Sequence, residues 1–180
     1  CVPGKRVQIV HSDDYFKTMS TAAHELGHSL GAIHDNATSC KAEDNFIMSP
    51  HVPKFDPNEE YSKNPWLFTK CSVQAFKTTL ANKDCVTRKP IYSQADADEW
   101  KKVMLTQPGE TYTPSMQCQL IVGRGSAYCG ALPGRICRFM YCTDPNTFKC
   151  MDIYFSAAPG TMCGINMWCQ QGLCVKKGHK

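Results

Sequence analysis

The chain has 180 residues, a formal net charge of +4 at neutral pH and 42% hydrophobic residues, which is room for one ordinary domain or two small ones. The basic residues are scattered, so the basic stripe of a nucleic-acid-binding domain is missing and no nucleic-acid partner is expected. No apolar run approaches the roughly 18 residues of a membrane-spanning helix, so no span is expected either.

The twelve cysteines indicate the cellular compartment. Their number is even and none forms a CxxC pair, a pattern that favours disulfides over a reduced or zinc-ribbon protein. We therefore expect a secreted, extracellular protein. Asn36 begins an Asn-Ala-Thr sequon and is a glycosylation candidate.

The first predicted elements are a strand and a helix. Residues 7–10 (VQIV) form a short buried-strand candidate. Ser12 or Asp13 can then cap a helix that ends near Gly31, because glycine accepts the left-handed backbone conformation without steric strain. The apolar stripe of this helix recurs every three or four residues, at Phe16, Met19, Ala23, Leu26 and Leu30.

Three histidines follow in the segment HELGHSLGAIHD, residues 24–35. His24 and His28 are four residues apart and share one helix face, and the bend at Gly31 lets His34 supply a third nitrogen. Three neutral imidazoles suit one catalytic Zn²⁺ and leave a fourth position open for water. Glu25 is offset around the helix, so it can act as general base on that water without binding the metal.

An HExxH segment alone occurs by chance in many proteins, so three solvated histidines on an ordinary amphipathic helix are the alternative. Gly31 and His34 at their spacing make that alternative weak. Gly27 adds support, because a glycine inside a helix costs about 1 kcal/mol against alanine and indicates a packing reason.

The rest of the chain divides by cysteine density. A second helix is predicted from Ser72, and a linker with one short helix from Gln94 to Leu105, capped by Ser93, follows it. Eight cysteines then crowd into residues 118–174, where little core can be buried and disulfides must supply stability. The predicted units are residues 1–89, 90–114 and 115–180.

The HExxHxxGxxH pattern with Asp35 behind it, and the later run Asn45-Phe46-Ile47-Met48-Ser49, resemble the metzincin signature and its Met-turn. The aspartate is typical of the adamalysin or reprolysin branch. This resemblance implies an α+β fold, with the C-terminal part of a metzincin catalytic domain (zinc helix, Met-turn and C-terminal helix) followed by a small, disulfide-rich, mostly irregular module. It also implies that Met48 forms a hydrophobic floor beneath the zinc.

The second module resembles the disintegrin-like module of the ADAMTS-like branch, through a C-G-x-x-x-W-C-x-x-G-x-C ending at residues 163–174. The resemblance also implies disulfide pairings, since eight cysteines alone allow 105 of them. The implied pairs are Cys1–Cys85, Cys40–Cys71, Cys118–Cys142, Cys129–Cys150, Cys137–Cys169 and Cys163–Cys174.

The sequence departs from this family in three ways. The upper half of the catalytic domain, expected before Val7, is missing, so the chain is interpreted as a fragment whose activity alone is in doubt. Arg88 stands where an Asn or Asp usually binds calcium, so calcium is not predicted. The module has neither an RGD nor an acidic-Cys-Asp tripeptide, so integrin binding is not supported.

The leading hypothesis is a secreted zinc metalloendopeptidase that hydrolyses extracellular protein substrates through metal-activated water, with Glu25 as base. The first alternative is a non-catalytic secreted binding protein that acts through the disintegrin-like module. The second is a disulfide-rich structural domain with a fortuitous motif.

Overall fold

The computed structural model describes residues 8–11, 17–51, 63–87, 93–131 and 134–178. The chain divides into two compact units, residues 1–91 (the N-terminal unit) and 92–180 (the C-terminal unit). The division falls inside the predicted linker at 90–114. In the described residues, no helix combines the length and apolarity needed to cross a membrane.

The N-terminal unit contains helices and short 3₁₀ turns. Its α-helices are α1 (Lys17–Ser29), α2 (Lys70–Leu80) and α3 (Asp84–Thr87), and its 3₁₀ turns are Asp35–Ala37, Ala42–Asp44 and Asn64–Trp66. Gly31 follows α1 at φ +96°, and a side chain there would overlap Thr79 on α2. The prediction that α1 ends near Gly31 is therefore confirmed. Close packing between α1 and α2 is a second reason for a glycine at this position.

Two predicted elements of the N-terminal unit are corrected. Residues 8–10 form no strand, and Ile9 is 92% exposed; no described segment offers them backbone partners, and an unpaired strand leaves its donors and acceptors to water. The helix predicted from Ser72 begins at Lys70, because Thr69 is the N-cap and accepts from the Ser72 amide. Val7 and the proposed caps Ser12 and Asp13 lie outside the described residues.

The C-terminal unit begins with three helices, α4 (Gln94–Leu105), α5 (Pro108–Thr111) and α6 (Pro114–Ile121). The prediction of α4 is confirmed at both ends. Its Ser93 cap accepts from the Asp96 amide, while the Asp96 carboxylate accepts from the Ser93 amide. This reciprocal capping box satisfies two donors that a helix start otherwise leaves unpaired.

The described part of the C-terminal unit continues with a 3₁₀ turn (Arg135–Cys137) and five short strands: β1 (Tyr141–Thr143), β2 (Cys150–Asp152), β3 (Met162–Gly164), β4 (Met167–Gln170) and β5 (Leu173–Lys176). The antiparallel pair β1–β2 aligns Cys142 with Met151. A second antiparallel sheet has the order β3-β4-β5. The chain is thus a mixture of helix and strand, as expected, and the module predicted to be mostly irregular contains short regular pieces.

Cystines and apolar side chains fill the core of the C-terminal unit. Its buried members are Cys118, Ile136, Cys137, Met140, Cys142, Ile153, Ala157, Cys163 and Cys169. The disulfides joined in the structure are Cys40–Cys71, Cys118–Cys142, Cys129–Cys150, Cys137–Cys169 and Cys163–Cys174. These are the same pairs that the resemblance implied. The remaining expected pair includes Cys1, which lies outside the described residues.

Candidate metal centre

Three imidazole rings converge in the N-terminal unit. His24 and His28 project from the same face of α1, and His34 approaches them from the segment after Gly31. The Nε2 atom of His34 lies 3.2 Å from the Nε2 of His24 and 3.2 Å from the Nε2 of His28. We call these three residues the histidine cluster.

Backbone carbonyls hold two of the three rings. Nδ1 of His24 donates to the Ile47 carbonyl at 2.7 Å, and Nδ1 of His28 donates to the Ala32 carbonyl at 2.9 Å. A carbonyl can only accept, so each Nδ1 carries the proton when the ring is neutral. Each Nε2 then presents a lone pair toward the cluster centre.

The surroundings of the third ring lower its pKa. Burial lowers the pKa of His34 below its usual value, and the nearby His28 and His24 lower it further, against opposing effects of Glu25 and Asp35. A neutral His34 can donate one Nε2 proton at most, and so cannot satisfy both facing lone pairs. The cluster therefore has more acceptors than donors at its centre, which is the arrangement a cation satisfies.

The spacing of the cluster can be tested against particular metals. Four tetrahedral ligands at about 2.0–2.1 Å from Zn²⁺ lie about 3.3 Å from one another, and the Nε2 of His34 lies 3.2 Å from each of the other two Nε2 atoms. Three neutral nitrogens without an oxygen ligand also disfavour Ca²⁺ and Mg²⁺. The residues present fit a zinc ion.

Glu25 stands beside this cluster. It is the neighbour of His24 on α1, is half-buried, and acts on His34 by raising its pKa against the larger effect of burial. A carboxylate in this position can take a proton from a group bound at the cluster.

Met48 packs against the helix that carries the cluster. Its side chain is fully buried, and a Cβ on Gly27 would overlap the Met48 sulfur and come within 3.0 Å of the Phe68 ring. The mid-helix glycine therefore permits a close approach, which is the packing reason that its position in the sequence predicted. The Met48 carbonyl also accepts from the Asp35 amide at 3.0 Å, which ties the residue after His34 to the same segment.

A buried polar contact links the cluster to α2. Asp35 is fully buried, and its Oδ1 accepts from the Thr69 hydroxyl at 2.8 Å. The Thr69 oxygen accepts in turn from the Ser72 amide at 3.1 Å. Sequence reasoning missed Thr69, although a threonine just before an apolar helix is a common N-cap signal.

The glycosylation candidate of the sequence analysis lies at the surface. Asn36 is exposed within the turn Asp35–Ala37. The Thr38 hydroxyl of its sequon donates to the Asp35 carbonyl at 2.8 Å.

Two family models match the chain. One, described as "Metallo-peptidase family M12", matches residues 4–62. The other, "ADAMTS cysteine-rich domain 2", matches residues 108–175. The first range contains the histidine cluster. The second contains nearly all of the described C-terminal unit beyond α4.

Curated relatives cover most of this chain. "A disintegrin and metalloproteinase with thrombospondin motifs 20" of Homo sapiens is 33% identical over 162 residues, which are 87% of this chain and 8% of that protein. "A disintegrin and metalloproteinase with thrombospondin motifs 15" of Homo sapiens is 30% identical over 98% of this chain and 18% of its own length. "A disintegrin and metalloproteinase with thrombospondin motifs like" of Bombyx mori is 31% identical over 97% of this chain and 25% of its own length.

The chain thus spans between about a tenth and a quarter of the length of these relatives. The two family models match separate parts of it, one on either side of α4. Together with relatives near 30% identity over most of the chain, these matches assign it to the ADAMTS branch of the M12 metallopeptidase family.

Proposed function

We propose that this chain supplies the zinc-binding part of a secreted endopeptidase that hydrolyses peptide bonds in extracellular proteins. His24, His28 and His34 hold one zinc ion, and Glu25 is the general base. Residues 1–89 are the C-terminal part of the catalytic domain, with α1 as its zinc helix and the segment around Met48 as its Met-turn. Residues 90–114 are a linker, and 115–180 are a disintegrin-like, cysteine-rich module.

The convergence of the three Nε2 atoms carries this proposal. The Nε2 of His34 lies 3.2 Å from the Nε2 atoms of both His24 and His28, a separation that suits tetrahedral ligands of one ion. The Nδ1 hydrogen bonds to Ile47 and Ala32 fix the two helical rings with their lone pairs inward before any metal binds. A fortuitous set of solvated histidines would not need such fixed rings.

The protein's own residues position and move the proton. When bound, zinc polarises the scissile carbonyl and lowers the pKa of water to about 7. Glu25 accepts a proton from the attacking water and donates it to the departing amine, so no covalent enzyme intermediate is needed. Met48 packs against Gly27 and so supports the helix that carries His24 and Glu25.

The extracellular location rests on the cystines and on the family. Five disulfides in the described residues require an oxidising compartment for their formation. We extend the same proposal to Asn36 as an exposed glycan acceptor. Calcium and integrin binding are not part of it.

The test compares three forms of the natural protein that carries this chain: wild type, Glu25→Gln and the control Glu43→Gln. Glu43 is exposed and outside the histidine cluster. We expect all three forms to hold one zinc per chain. Proteolysis of an extracellular matrix extract should stop with a chelator and fall by about 10²–10⁴ in Glu25→Gln alone.

Two results would contradict the endopeptidase proposal. One is unchanged proteolysis in Glu25→Gln. The other is a zinc-loaded wild type without chelator-sensitive cleavage, which would favour the non-catalytic binding protein acting through the C-terminal unit.

A further inference from the structure

A cavity of about 270 Å³ opens on the C-terminal unit, within residues that the metal centre does not use. It is lined by three aromatic residues (Tyr128, Phe139 and Tyr141), by Arg135, and by Cys129, Gly130, Ala131 and Cys150. We call it the aromatic cavity.

Covalent and backbone bonds fix the walls of the aromatic cavity. The Cys129–Cys150 disulfide joins two of its lining residues. The Cys129 amide donates to the Tyr141 carbonyl at 3.0 Å, and the Phe139 amide donates to the Arg135 carbonyl at 2.8 Å. A site built in advance in this way loses little conformational entropy when a ligand binds.

One aromatic wall depends on a glycine. The Tyr128 ring lies so close to Gly130 that a Cβ added there would overlap the hydroxyl and meet ring carbons within 3.0 Å. An alanine at position 130 must therefore displace the Tyr128 ring. This gives a way to change the shape of the cavity without touching its charge.

The aromatic cavity carries a positive charge and no negative one. The Arg135 guanidinium carbon lies 5.9 Å from the centroid of the Phe139 ring, and no lining residue is acidic. Among the described residues, Arg135 forms no ion pair. An exposed guanidinium beside aromatic rings is suited to a planar carboxylate, to which arginine donates two parallel hydrogen bonds.

We propose that the aromatic cavity binds one aromatic side chain of a protein partner whose next residue is acidic. At about 270 Å³ it is smaller than the roughly 300–1,000 Å³ of sites for drug-sized ligands, which favours a single side chain. Tyrosine and arginine around a rigid pocket are the composition of energetic centres in protein interfaces. The inference stands whether or not the histidine cluster is catalytic.

The test titrates the ¹⁵N-labelled 180-residue chain with three blocked tetrapeptides, Gly-Phe-Asp-Gly, Gly-Phe-Asn-Gly and Gly-Ala-Asp-Gly. We expect saturable shifts of the Gly130 and Ala131 amides with the first peptide. Replacing its aspartate by asparagine should weaken binding roughly threefold to tenfold, because a charge-assisted pair is lost. The peptide without an aromatic ring should not saturate.

Two substitutions separate the charge from the shape of the site. Arg135→Gln should remove the preference for the aspartyl peptide, while the exposed Arg124→Gln, outside the lining, should leave it intact. Gly130→Ala should weaken both phenylalanyl peptides equally. Unchanged amide shifts of β4 and β5, which contain no lining residue, check the fold of each variant.

Two outcomes would overturn the inference. One is the absence of saturable shifts at the lining amides with the Gly-Phe-Asp-Gly peptide at 20 mM, on the order of a hundred times the protein. The other is an aspartate preference that survives Arg135→Gln.

Discussion

The two units of this chain use different interactions to order their residues. In the described N-terminal unit, Ala32 and Met48 are the buried hydrophobic residues, whereas four polar ones are buried: Asp35, Ser49, Thr69 and Ser72. The C-terminal unit buries many more apolar side chains and holds four disulfides. Gathering three imidazoles requires directed polar contacts, while a small module without a metal centre can depend on cystines and a compact core.

The largest expected effect is the loss of a buried cystine. Cys137 and Cys169 are 32 residues apart and are 1% and 2% exposed. Replacing both with alanine should lower the free energy of unfolding of the C-terminal unit by about 4 kcal/mol, measured in urea. Zinc stoichiometry should not change, because the histidine cluster belongs to the other unit.

The matched control for that cystine is Cys163→Ala with Cys174→Ala. It opens a loop with a separation of 11 residues and should cost about 3 kcal/mol. A loss of zinc in either variant would contradict this account, because it would show that the metal centre depends on the cystine-rich unit.

Met48 tests how far the N-terminal unit depends on one apolar contact. Met48→Ala should destabilise this unit by about 3 kcal/mol, because a fully buried side chain leaves a cavity. Met19→Ala, 43% exposed on α1, is the control. Thermal unfolding of the zinc-loaded chain, followed by circular dichroism, measures both.

The close approach of Gly27 to Met48 can be tested by a double substitution. Gly27→Ala alone should destabilise by about 1–3 kcal/mol through overlap with the Met48 sulfur. In combination with Met48→Ala, much of that cost should disappear, because the space is then empty. If the effects of the two substitutions add, the glycine is needed for a reason other than its close approach to Met48.

Two helix caps allow a smaller comparison between the units. Thr69→Ala removes both the cap of α2 and the hydroxyl that Asp35 accepts from, and should cost about 2 kcal/mol. Thr113→Ala removes only the cap of α6 and should cost about 1 kcal/mol. Thr69→Ser, which keeps the hydroxyl, should recover most of the loss in urea unfolding. Equal costs for the two alanine variants would mean that the buried carboxylate gains little from Thr69.

The smallest expected effect depends on pH. Hydrogen bonds from the Ser93 hydroxyl and then the Ser93 amide lower the pKa of Asp96. Because the folded-state pKa lies below the unfolded value, the cap stabilises α4 above the unfolded pKa. It is lost as pH falls through the folded pKa.

An NMR titration of the Asp96 carboxyl measures that pKa. In Ser93→Ala it should rise toward the ordinary aspartate value, because the first of the two causes is removed. An unchanged pKa would contradict the capping account.

Local signals in the sequence predicted local structure well. The Ser93 cap placed the start of α4 correctly, and α1 ended just before Gly31 as predicted. The motif also named the three rings that converge. These features depend on neighbours at most 10 residues apart, which a sequence displays directly.

Apart from the disulfide pairs that the family resemblance implied, features that depend on distant partners were missed or wrong. A strand at residues 8–10 needs a neighbouring strand, and none of the described residues provides one. The Asp35 contact with Thr69 joins residues 34 positions apart, and the aromatic cavity brings together residues 128–150 through a disulfide and two backbone bonds. No periodicity reveals such contacts, because packing decides them.

Zinc-edge X-ray absorption on the chain loaded with one equivalent of zinc tests the metal centre most directly. We predict three imidazole nitrogens and one further light ligand at about 2.0–2.1 Å, with one nitrogen fewer in His34→Ala. A spectrum without imidazole scattering, or one that His34→Ala leaves unchanged, would contradict the assignment of the histidine cluster as a zinc site.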